Sequence, residues 1–132
     1  MDSKSKIVFA AVFFMIFFSL KISEAHTIFP NEEEYQVSVD KVPVPVGGYE
    51  GIMKKIIYPA MAIQTRTEGK VYMLVYLNEN GDVEEAKIVK GIGGGCDEEA
   101  VKAVKKSKFI AATQNGALVK TKFAVALNFK LP

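Results

Sequence analysis

Residues 70–78 alternate so that Val71, Met73, Val75 and Leu77 take one face of an extended chain and Tyr72, Leu74 and Tyr76 the other. A strand that is apolar on both sides must be covered on both, or covered on one while the other is kept for a partner. Asn80-Gly81 separates this run from a second one at 83–89, and that dipeptide favours a type I′ turn because both central residues need positive φ. The two strands are therefore antiparallel neighbours. Glu84, Glu85 and Lys87 make the second one half exposed and place it at an edge. A last run, 119–129, sets Phe123, Val125, Leu127 and Phe129 against Lys122, Ala124, Ala126 and Asn128, which reads as a third strand.

Helical signals fall between and before these strands. Tyr49, Ile52, Met53 and Ile56 recur at i, i+3, i+4 and i+7, one face of a short helix that Tyr58-Pro59 ends, since a residue before proline avoids the α region. A further helical turn fits Met61 and Ala62. Ahead of it, residues 26–46 carry Pro30, Pro43 and Pro45, the acids Glu32, Glu33 and Glu34, and an alternation of Tyr35, Val37 and Val39 that predicts one peripheral strand. The second helix is marked at its start by Asp97, expected as the N-cap, with Glu98 and Glu99 in the first turn. Lys102, Lys105, Lys106 and Lys108 load its other end, as the helix dipole favours. Ala100, Val101 and Val104 form its buried stripe.

The first 25 residues have a different logic. Lys4 and Lys6 precede an uncharged run, 7–20, that holds five of the nine phenylalanines and is closed by Lys21. As a helix, that run spans roughly 21 Å, short of the roughly 30 Å of hydrocarbon that a transmembrane helix crosses. Ser23 and Ala25 put small residues where a signal peptidase inspects the chain. Residues 1–25 are thus expected to be a signal peptide cut before His26, the rival being an uncleaved anchor. Both place the remainder outside the cytoplasm: a leader at 26–41 and a folded domain at 42–132.

Much chemistry is excluded by what the composition lacks. One cysteine rules out an internal disulfide and a thiolate zinc cage, and one histidine rules out most metal and triad constellations. A formal net charge of +2 attracts no nucleic acid. The glycine run Gly91, Gly93, Gly94 and Gly95 lacks the Lys-Ser/Thr ending of a phosphate loop, and acids occupy the helix start where a phosphate would sit. Cys96, with no base nearby, reads as a buried spacer. No catalytic group, metal or cofactor is expected.

The order Val42-Pro43, Gly47-Gly48, Tyr58-Pro59, Gly69-Lys70-Val71, Asn80-Gly81, Val89-Lys90-Gly91, then the run from Gly93 to Ala100, Phe109, Asn115-Gly116 and Phe129 resembles the TonB C-terminal domain family. That resemblance implies an α+β fold, a three-stranded antiparallel sheet with two helices packed on one face, here preceded by a signal peptide or signal anchor helix. It implies a periplasmic domain that grips an extended peptide of an outer-membrane TonB-dependent receptor along the edge of its last strand, by β-augmentation in support of transmembrane transport. Carried onto this chain, the edge is 120–128. Lys120 and Lys122 are its blunting charges, Phe123 and Val125 set its register, and Leu127 belongs to the same partner-binding set. An anchored chain would also meet the proton-driven motor proteins of the inner membrane, although the 16-residue leader reaches only about 50 Å even fully extended. The alternative is an exported stand-alone module that uses the same edge to form a homodimer or complete another sheet, with no energy-transducing role.

Overall fold

The computed structural model describes residues 34–132, so the expected export segment lies outside the described residues. Its centre is a three-stranded antiparallel sheet. In chain order the elements are β1 (Val44–Pro45), α1 (Gly48–Met53), α2 (Ala60–Gln64), β2 (Gly69–Leu77), β3 (Val83–Lys90), α3 (Cys96–Lys105), β4 (Phe109–Ile110), β5 (Ala112–Gln114), β6 (Ala117–Val119) and β7 (Thr121–Phe129). The sheet order is β3-β2-β7, with β2 central, while β1 pairs with β4 and β5 with β6 as separate two-stranded ribbons. The α+β class with a three-stranded antiparallel sheet is therefore what the chain adopts, with a third short helix, α2, after Pro59.

Period two decides the layers. On β2 the odd residues Val71, Met73, Val75 and Leu77 are all fully buried, and across β7 they are joined by Val125, Leu127 and Phe129. The helices supply Ile52, Ala62, Cys96, Ala100, Ala103 and Val104 to the same core. Each large side chain fully buried here contributes about 1.5–3 kcal/mol, which is how so short a set of helices is held. Ala103 takes the place expected for Val101, which is only partly buried. Phe109 fills the space where α3 leaves the sheet, its ring edge-on to Phe123 at 5.5 Å between centroids.

Three local expectations are corrected. Asn80 does not take positive φ, so the β2–β3 connection is not type I′. The Asn78 side chain accepts from the amides of Asn80 (3.0 Å) and Asp82 (2.9 Å), widening the loop until only Gly81 is left-handed. The type I′ geometry occurs instead at Asn115-Gly116, where φ values of 51° and 78° join β5 to β6, so that Val119 belongs to β6 and the last strand begins at Thr121 rather than 119. Asp97 is not the N-cap of α3, a position held by left-handed Gly95. Its carboxylate reaches back to accept from the amides of Ile92 (2.9 Å) and Gly93 (3.3 Å). Two amide donors of this glycine loop, those of Ile92 and Gly93, are thereby taken by the chain itself.

Candidate functional site

An antiparallel strand turns alternate peptide groups to its two flanks. On β7 the odd residues bond inward to β2, in unbroken register from Leu77↔Thr121 to Gly69↔Phe129. The even residues face outward. Contacts with the leader fix that parity: the Gln36 amide donates to the Lys120 carbonyl at 2.9 Å, and the Lys122 amide donates to the Gln36 carbonyl at 3.1 Å. Beyond this point the outward N–H and C=O groups of Ala124, Ala126 and Asn128 meet no described segment. The flank expected to be open over 120–128 is closed at its start by the chain's own residue 36 and open from there on.

The closure is a latch of several contacts. Tyr35 is buried, with its ring edge-on to Tyr76 at 5.0 Å and its hydroxyl donating to the Glu84 carboxylate. Lys120 lies over the Tyr35 ring and bridges Glu34 (3.4 Å) and Glu84 (3.9 Å), while the Thr121 hydroxyl donates to the Gln36 carbonyl at 2.7 Å. The peripheral strand expected around Tyr35, Val37 and Val39 is thus reduced to two isolated bridges, Gln36↔Thr121 (parallel) and Lys41↔Thr113 (antiparallel), and Val37 is exposed. Covering Tyr76 also resolves part of the two-faced strand: Tyr35 shields one end of the second face, and Tyr72 at the other end stays exposed.

Burial, then the hydrogen bond to Glu84 and that residue's charge, hold the Tyr35 phenol well above the usual tyrosine range. Burial alone would lower the Lys120 ammonium, but the Glu84 and Glu34 carboxylates outweigh it and raise it. Because the folded state favours protonated Tyr35, its contribution is intact below the unfolded phenol value of about 10 and is lost as the pH climbs above it. A titration of phenolate absorbance should therefore show a late step, and Tyr35→Phe should remove that step.

Of the residues singled out in sequence, Lys120 is engaged by the leader and Lys122 stands opposite Tyr76. Phe123 is partly buried against the core, and Val125 and Leu127 are buried in it. The latter three side chains point to the helix side of the sheet, so they anchor the strand rather than line its outer flank. The side chains beside the open flank belong instead to α1. A groove of about 500 Å³ runs between α1 and the strand edge, bounded by Tyr49 and Met53 on the helix and by 126–128 on the strand. Sequence reading missed it because Tyr49 and Met53 share the apolar stripe of Ile52, yet only Ile52 is fully buried and Tyr49 is 46% exposed.

Elsewhere the chemistry is muted. Cys96 is buried, and burial followed by the charges of Asp97 and Glu98 pushes its thiol up, the opposite of an activated nucleophile. Among the described residues no His, Cys, Asp or Glu side chains gather as a metal site, and no helix is long and apolar enough to cross a membrane.

Comparison with curated proteins yields no match. The chain is similar in structure to the Pseudomonas aeruginosa TonB C-terminal domain solved by solution NMR, with a TM-score of 0.51 and 24% identity over 70% of this chain and 89% of that one. A Helicobacter pylori TonB C-terminal domain, also solved by NMR, is 26% identical over 59% of this chain and 85% of that one, with a TM-score of 0.45. The family model described as Gram-negative bacterial TonB protein C-terminal matches residues 54–131, a span that holds α2, the whole β3-β2-β7 sheet and α3. With more than half of its length matched, the chain belongs to the Gram-negative bacterial TonB protein C-terminal family.

Proposed function

We propose that this protein is a periplasmic interaction domain of TonB-type transport, which binds an extended segment of an outer-membrane receptor by adding it as a fourth strand beside β7. The observation that carries the reading is the row of outward peptide groups at Ala124, Ala126 and Asn128, left unpaired by every described segment. Such a row is a template for another backbone, and a soluble domain that keeps one open has a use for it. Family membership supports a transport role. An antiparallel or parallel segment would begin where the leader stops, so Gln36 sets one limit of the paired length.

The test is a titration of the ¹⁵N-labelled chain with a synthetic peptide of a receptor's TonB-binding segment. The amides of Ala124, Ala126 and Asn128 should shift and gain protection from exchange, and those of β3, on the far side of the sheet, should not. Unchanged edge amides at millimolar peptide would remove the reading. A concentration-dependent dimer that protects the same amides without peptide would favour the stand-alone module instead.

A further inference from the structure

Pairing along β7 needs only backbone, yet the chain builds a groove directly beside the open edge. Its walls are Tyr49 and Met53 of α1 on one side and strand residues 126–128 on the other, and Glu50 and Lys54 stand with Tyr49 and Met53 on its lining. We propose that this groove is a side-chain subsite for the docked segment, taking two apolar residues at alternate positions of an extended peptide. The inference rests on the edge-pairing reading above and adds to it the chemical class of segment that is preferred.

Spacing carries the first step. Alternate residues of a strand lie about 6.8 Å apart and point to the same face. Tyr49 and Met53, four residues apart on a helix, are separated by about 6 Å along its axis. The strand portion of the lining, 126–128, covers one such two-residue repeat. A chain laid beside β7 sends every second side chain to the helix side of the sheet, and a groove of about 500 Å³ has room for two of them. The residues between those two face the opposite side and are not read.

Chemistry carries the second step. The Tyr49 ring and the Met53 thioether offer carbon surface, and the exposed part of Tyr49 is the kind of area that a bound side chain would cover. Glu50 and Lys54 carry opposite charges, so together they neither attract nor repel a net charge on the peptide. Discrimination then falls to the apolar walls. Continuity with the edge identifies the occupant: Ala126 and Asn128 present outward peptide groups and line the groove at once, so whatever fills it is attached to a backbone paired with β7.

Two blocked peptides test this on the full chain, one alternating valine and threonine, the other with serine in place of each valine. Edge amides should respond to both. The Tyr49 ring and Met53 methyl signals should respond only to the valine peptide, which should bind tighter than its twin by about tenfold or more. Tyr49→Ser, at a half-exposed helix position, should reduce that preference to under about threefold while leaving the edge response in place. Edge shifts with silent Tyr49 and Met53 signals, or an unaltered preference in Tyr49→Ser, would overturn the subsite and leave edge pairing standing. Silent edge amides with both peptides would overturn the pairing reading and the subsite with it. Peptide-free, concentration-dependent shifts of Tyr49 and Met53 would make a second copy of this chain the occupant and overturn the proposal.

Discussion

Ala126→Pro abolishes uptake of the receptor peptide and leaves the domain folded. Ala126 sits in the middle of the open flank, is exposed, and bears an even number, so its N–H points away from β2. Proline there removes the central donor and projects its ring into the space of an incoming backbone, while the ladder between β2 and β7 keeps every bond. Losing that hydrogen bond and the close approach of its neighbours should weaken binding by well over tenfold, roughly 2 kcal/mol or more. The thermal midpoint should fall by only a few degrees, since edge positions tolerate proline. Val125→Pro is the control: one residue earlier the N–H belongs to the β2 ladder, the side chain is buried, and the variant should unfold. Parent-like affinity in a folded Ala126→Pro chain would end the case for pairing at this edge, whatever peptide was used.

How far the sequence reveals this site follows from what each part is made of. The strands β2 and β7 are legible because burial on one face imposes period two over nine residues each, and slippage by one residue would expose the whole core set. The direction of α3 is legible because its acids and lysines sort to opposite ends. The latch is not, since a single bridge at Gln36 has no periodicity, and the alternation of Tyr35, Val37 and Val39 mimics a strand although only Tyr35 finds a pocket. The groove is hidden for a different reason. One helix stripe can serve the core and a partner together, and nothing in the spacing of Tyr49, Ile52 and Met53 says which member the core will bury. Turn type escaped because Asn-Gly occurs twice, and the Asn78 side chain, not the dipeptide, decides which copy becomes the tight hairpin.

Gly81→Ala should be the most damaging small substitution in the chain, and Gly116→Ala separates its causes. Both glycines are left-handed, with φ of 82° and 78°, so any L side chain pays the same backbone strain of about 1 kcal/mol at either one. Their surroundings differ. A Cβ at Gly116 would meet nothing within 4 Å, whereas at Gly81 it would lie 1.9 Å from the Phe109 carbonyl oxygen. That oxygen cannot step aside cheaply. The Phe109 amide donates to the Gly81 carbonyl at 3.0 Å, Lys108 pairs with Asp82 at 2.5 Å, and Phe109 itself is buried against Phe123. Relief therefore means parting the β2–β3 turn from the entry to β4 and disturbing the aromatic pair behind it. The expected cost is about 3–4 kcal/mol for Gly81→Ala against about 1 kcal/mol for Gly116→Ala. In a domain of this size those costs correspond to a midpoint lowered by about 15 °C or more in the first case and about 4–8 °C in the second, measurable by thermal denaturation followed in circular dichroism. Equal losses at the two positions would mean that the turn moves freely and that Phe109 is not clamped from this side. If Phe109 is clamped, Gly81→Ala should also loosen Phe123 at the head of the open flank and weaken peptide binding beyond what the unfolded fraction explains.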